Sequence, residues 1–149
     1  MSIENKTSYE LYLNEIESNP YFKIEQEHDV REGTYEDCLY HIKDGQVNFV
    51  RYVDHCVVHL LPKGILIENL SRTENPLKTF EFYNNDGNLV FSATNYDSKF
   101  GCKPIFKLII EITETQAIVK KIDLNNTEKC LLVTSYDIDN LQQHDIFTI

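Results

Sequence analysis

Turn residues recur along this chain too often for helices of ordinary length, and they cut it into apolar runs of strand size. Asp44-Gly45, Pro62-Lys63-Gly64, Asn84-Asn85-Asp86-Gly87, Thr113 to Thr115 and Asn125-Asn126 each stand between a pair of such runs. Asp-Gly is a strong signal for a type I′ hairpin, because both central residues of that turn need positive φ. Before it, Tyr35 to Lys43 alternates with Cys38, Tyr40 and Ile42 on one face, and Gln46 to Val53 supplies the return strand. Thr79 to Tyr83 with Asn88 to Thr94, and Ile105 to Ile112 with Gln116 to Ile122, make two further hairpins. Lys129 to Ser135 and an edge strand over Asp145 to Ile149 complete the series. Turns at this spacing predict an antiparallel meander that curls into a half-barrel, barrel or sandwich.

Three segments read less simply. In His55 to Leu61, Val57 and Leu60 continue a helical spacing from Val50 and Val53, yet the β-branched residues favour a strand. With Ile65 to Leu70 beyond the Pro62-Lys63-Gly64 turn, a hairpin is the preferred reading and a helix the other. Phe22 and Ile24 alternate with Lys23 and Glu25 as a short strand, and Glu25 to Gly33 then reads as an exposed loop or strand edge. At the start, Thr7-Ser8-Tyr9-Glu10 fits a capping box, and Tyr9, Tyr12, Leu13 and Ile16 form one apolar stripe that ends at Asn19-Pro20. The expected class is therefore α+β, mainly antiparallel β, with an N-terminal helix packed on a curved meander sheet. Residues 1–149 form a single globular domain, with no repeat, linker or low-complexity run.

A chain of 149 residues with 42% hydrophobic and 26% charged residues can bury a sizeable core and carries no disorder signature. No stretch reaches the roughly 18 apolar residues of a membrane span, and Met1 to Glu10 lacks a secretory signal, so a cytoplasmic location is expected. Cys38, Cys56, Cys102 and Cys130 are far apart with no Cys-x-x-Cys pair. Free, buried thiols fit a reducing compartment, and two bridges in an oxidising one are the alternative.

Catalytic chemistry finds little support. His55 and His59 would share a helix face, but on a strand they sit about 13 Å apart, too far for one ion. Asp54-His55 and His144-Asp145 are neighbours that point to opposite faces of a strand, so neither is a ready acid–base pair. Nucleophile elbows, protease cysteines and phosphate loops are missing. Lys99, Lys103, Lys107, Lys120 and Lys121 form a mild basic group that Asp97, Glu111 and Asp123 dilute, which argues against nucleic acid. No catalytic residue, metal or cofactor is expected.

Charge is the remaining signal. Of the ten net negative charges, seven fall between Met1 and Asp37. The candidate partner-binding set is Glu25, Glu27, Asp29, Glu32, Glu36 and Asp37, flanked by Tyr21, Phe22 and Tyr35. Grouped carboxylates accept bidentate arginine bonds and steer basic partners, and neighbouring aromatics can anchor them. An ordinary solvated edge is the plainer reading. The functional expectation is a non-catalytic cytoplasmic protein that masks a basic protein, most concretely a bacterial immunity protein or antitoxin covering a nuclease toxin. A lipocalin-like or fatty-acid-binding-type barrel for an apolar ligand is the alternative, and a DNA mimic ranks below both.

Overall fold

Leu39, Ile65, Leu66, Ile67 and Phe82 are wholly buried, and their distribution sets the architecture. The computed structural model describes residues 2–3, 19–70, 77–97, 99, 101, 103–126 and 128–148. Twelve antiparallel strands run through them. In chain order they are β1 (Ser2–Ile3), β2 (Phe22–Asp29), β3 (Thr34–Lys43), β4 (Gln46–Tyr52), β5 (Cys56–Leu61) and β6 (Gly64–Leu70). The second half carries β7 (Lys78–Asn84), β8 (Leu89–Thr94), β9 (Phe106–Ile112), β10 (Gln116–Asp123), β11 (Cys130–Asp137) and β12 (Gln143–Thr148). They form three sheets: β2-β3-β4, β5-β6-β7-β8, and β1-β9-β10-β11-β12.

The expected class is corrected here. The described residues are nearly all antiparallel β with no α-helix, in three open sheets in place of one curved meander. The helix expected from Thr7 falls almost wholly outside the described residues. Its stop signal at Asn19 serves the strand that follows: Asn19 Oδ1 accepts the Tyr21 and Phe22 amides at 2.8 and 3.0 Å. His55 to Leu61 resolves as a turn followed by β5, with His55 at a left-handed φ of 60°. The Asp44-Gly45 turn has φ of 52° and 75°, as a type I′ turn demands.

The middle sheet explains why the ladder breaks into three. Ile65-Leu66-Ile67 has no polar alternate, so both faces of β6 must leave water. On one face Ile65 and Ile67 join Val58 and Cys56 against Phe22, Leu39 and Val53 of the β2–β4 side. On the other, Leu66, Phe80, Phe82 and Phe91 pack against Ile110, Ile112, Ala117 and Val119 of β9 and β10. A meander that stayed in one sheet would have left one of these faces in solvent. From β2 onward the chain changes layer between β4 and β5 and again between β8 and β9.

Polar ties cross the layers. Asn84 Oδ1 caps its own turn through the Asp86 and Asn88 amides, each at 3.0 Å, while its Nδ2 donates to the Ile138 carbonyl at 2.7 Å. His41 Nε2 lies 2.9 Å from the Asn85 carbonyl, joining β3 to the β7–β8 turn. Arg51 of β4 forms an ion pair with Glu81 of β7, and Tyr83 donates to the same carboxylate at 3.3 Å.

Candidate functional site

Register decides which side chains share the outward face of β2–β4. Residues directly opposite in an antiparallel pair lie on the same face. Phe22, Leu39 and Arg51 face the middle sheet, so Lys23, Cys38, Tyr40 and Tyr52 beside them face out. Lys23, Tyr40 and Phe49 form one outward rung, Glu25, Cys38 and Tyr52 the next, and Glu27 and Glu36 a third. The register jumps between Leu39 and Tyr40, making Val50 an extra residue of β4. That bulge places Phe49 and Tyr52, three apart in sequence, on one face with ring centroids 5.1 Å apart.

This face is apolar and acidic at once. Phe49 and Tyr52 are 51% and 53% exposed, unusual for large rings on a sheet. Tyr40 packs edge-on to Phe49 at 5.9 Å, and its hydroxyl donates to Glu27 Oε1 at 2.8 Å. That bond to a carboxylate holds the Tyr40 pKa well above its ordinary 10.0. Lys23 Nζ sits 2.7 Å from Glu25 Oε1 and 5.7 Å from the Tyr40 ring centroid. Cys38 lies buried beneath this layer, where burial first and Glu27 second push its thiol up.

Beyond Cys38 the third strand is gone, because β4 stops at Tyr52. Only β2 and β3 remain, an antiparallel ribbon that pairs Gln26 with Asp37, Glu27 with Glu36, His28 with Tyr35 and Asp29 with Thr34. Gln26, Glu27, His28 and Tyr35 are all exposed, so both faces of the ribbon meet solvent. His28 stacks on Tyr35 at 4.5 Å, and Val30 at the tip is 83% exposed. A bare two-stranded ribbon is marginal in water. This one is held at its base by the sheet.

The expected partner set is thus gathered only in part. Glu25, Glu27 and Glu36 share the outward face with the aromatic rungs. Asp37 and Tyr35 belong to the reverse side, where the Asp37 amide donates to Asp54 Oδ1 at 2.9 Å. Glu32 lies exposed in the connecting turn, and the backbone of Asp29 closes the ribbon opposite Thr34. Tyr21 stands just before β2, its carbonyl accepting the Ile42 amide at 2.7 Å, and is exposed. Phe22, expected as a flank, is core. Glu25 to Asp29 is strand, so of the two readings for that stretch the edge strand is the one observed. Tyr40, Phe49 and Tyr52 are site residues that the sequence does not single out. Val47 and Phe49 alternate legibly, but nothing local announces the bulge that adds Tyr52.

Other candidates lie apart from this face. His59 Nε2 is 3.6 Å from Glu68 Oε2, both buried, with Lys78 Nζ 3.9 Å from Glu68 Oε1. His144 sits 3.6 Å from Asp137 on the far sheet. No cluster of three or more metal-ligating side chains occurs among the described residues. A cleft of about 240 Å³ lies between Ser92, Ala93, Lys121 and Tyr136, below the range of ordinary ligand pockets. A depression of about 620 Å³ between Leu61, Lys63 and Glu114 opens to solvent at two turns. Among the described residues the strands form three separate sheets in place of one closed barrel, with a buried apolar cluster on each side of the middle sheet.

The described residues are nearly all antiparallel β in three stacked sheets, with an exposed ribbon and aromatic rungs on the outward face of β2–β4. No protein-family model, characterised protein or solved structure matches the chain.

Proposed function

We propose that this protein is a non-catalytic binding protein that masks a basic protein partner with the outward face of β2–β4 and its ribbon. The observation that carries the reading is the placing of Glu25, Glu27 and Glu36 on the same sheet face as the half-exposed rings of Phe49 and Tyr52. Carboxylates steer a basic partner and fix its orientation, while exposed rings supply contact area that scattered surface charge lacks. A net charge of -10 adds long-range attraction of the same sign. The most concrete case is a cytoplasmic immunity protein or antitoxin, whose acidic face covers the phosphate-binding groove of a bacterial nuclease toxin. Such a role needs a stable scaffold and complementary charge, and no reacting group.

The test uses the wild type and the charge-reversed Glu25→Lys, Glu27→Lys, Glu36→Lys variant as parallel baits for native lysate. A stoichiometric basic protein retained by the wild type and released by the variant supports the reading. Association measured with that protein should slow at least tenfold in the variant, with the melting temperature within a few degrees. Equal retention by both baits sinks it.

A further inference from the structure

We infer that the outward face of β2–β4 selects arginine over lysine, and reads it from an extended segment of the basic partner. This rests on the docking role proposed above. Side chains on one face of a strand repeat about every 6.6–6.8 Å, and an extended partner chain has the same repeat. Arginines at alternate positions of such a segment come level with successive rungs. The first rung is Glu27 with Glu36, the second holds Glu25 and Tyr52 around Cys38, and the third is Lys23, Tyr40 and Phe49.

The chemistry of the rungs separates the two cations. A guanidinium is planar and weakly hydrated, so it can lie on a ring while its edge donors reach a carboxylate. An ammonium is a compact, strongly hydrated charge and gains less from the same ring. Phe49 and Tyr52 present more than half of their surface at the β4 edge, their rings inclined at 61°. Carboxylates stand within one or two rungs of both. The face already holds a cation in this manner: Lys23 is bonded to Glu25 while lying over the Tyr40 ring. Arginine on the neighbouring rings would repeat that arrangement with bidentate bonds in place of single ones.

The occupant is therefore an arginine-bearing strand of a basic protein, and charge complementarity with this face is the ground for choosing it. Two probes test the choice: a peptide alternating arginine with threonine, and its lysine counterpart. Both are titrated calorimetrically at low ionic strength into three proteins: the wild type, a Phe49→Leu, Tyr52→Leu variant and a Glu27→Gln, Glu36→Gln variant. Leucine keeps apolar bulk at these exposed positions and removes the ring. The arginine peptide should bind the wild type about tenfold tighter than the lysine peptide. In the leucine variant that preference should fall to about twofold or less with both peptides still bound, and the glutamine variant should weaken both. Equal affinity of the two peptides for the wild type, or a preference that survives the leucine substitutions, overturns the arginine inference and leaves the docking role intact. If neither peptide binds, or the glutamine variant binds both unchanged, the docking role itself is wrong.

Discussion

Glu27 and Glu36 oppose one another across β2 and β3, and like charges so placed cost stability. A ribbon chosen only for its own stability would carry a lysine at one of the two positions. Glu36→Lys should therefore stabilise the fold by about 0.2–1 kcal/mol in urea unfolding, and at the same time weaken partner binding. A variant that loses stability would show that the pair is already compensated in the free protein. Tyr40 shows how tightly the two requirements are joined, since its hydroxyl supports the Glu27 carboxylate while its ring belongs to the aromatic row.

At the scale of the element, β4 and β6 are opposites. Four consecutive residues of β4, Gln46 to Phe49, are exposed, whereas β6 is buried from Gly64 to Glu68. Gly64 opens β6 opposite Asn84 of β7. A Cβ there would overlap the Tyr83 carbonyl oxygen and lie 2.8 Å from Phe82 Cζ. Backbone cannot move aside as a flexible side chain can, so Gly64→Ala should cost about 1–3 kcal/mol, towards the upper end. The measurement is the urea midpoint of the variant against wild type, and a loss below about 1 kcal/mol would mean that the β5–β6 hairpin shifts freely. Gly45 is different: open space surrounds it, and its demand is positive φ alone.

The whole molecule is held as three layers, and the inner interface between β2–β4 and the middle sheet contains ionisable groups. Burial pushes the Cys56 thiol up, with Arg51 opposing and Asp54 and Glu81 adding to the shift. Burial likewise raises the Tyr83 hydroxyl, and Glu81 reinforces it. The folded protein thus holds these protons more tightly than the unfolded chain, where the groups titrate near 9.0 and 10.0. Their contribution is fully present below about pH 9 and is lost as pH rises through the folded values. Unfolding free energy should accordingly be level from about pH 7 to 8.5 and fall by pH 10.5, with Cys56→Ala showing a shallower fall. A profile that stays level to pH 10.5 would contradict the burial of these groups between the sheets.

Turn chemistry and alternation sufficed to place the hairpins: Asp44-Gly45, Pro62-Lys63 and the Asn84 to Gly87 turn all stand where their local φ preferences and polar caps put them. The run Ile65-Leu66-Ile67 likewise marked a strand, because its residues are β-branched or apolar without interruption. Local signals could not say that this strand would be covered on both sides, since burial of a second face depends on residues far away in the chain. That one fact divides the molecule into three sheets and displaces the expected curved meander. The docking face follows the same rule. Alternation sets Glu36 and Asp37 on opposite sides of β3, but which side faces outward was settled only when Leu39 entered the core. Phe49 and Tyr52 came together through a bulge whose register is set by pairing with β3. Sequence alone determined most of the hairpins and the sign of the charge, because both are local or additive; which side chains stand together in water was decided by packing, which is neither.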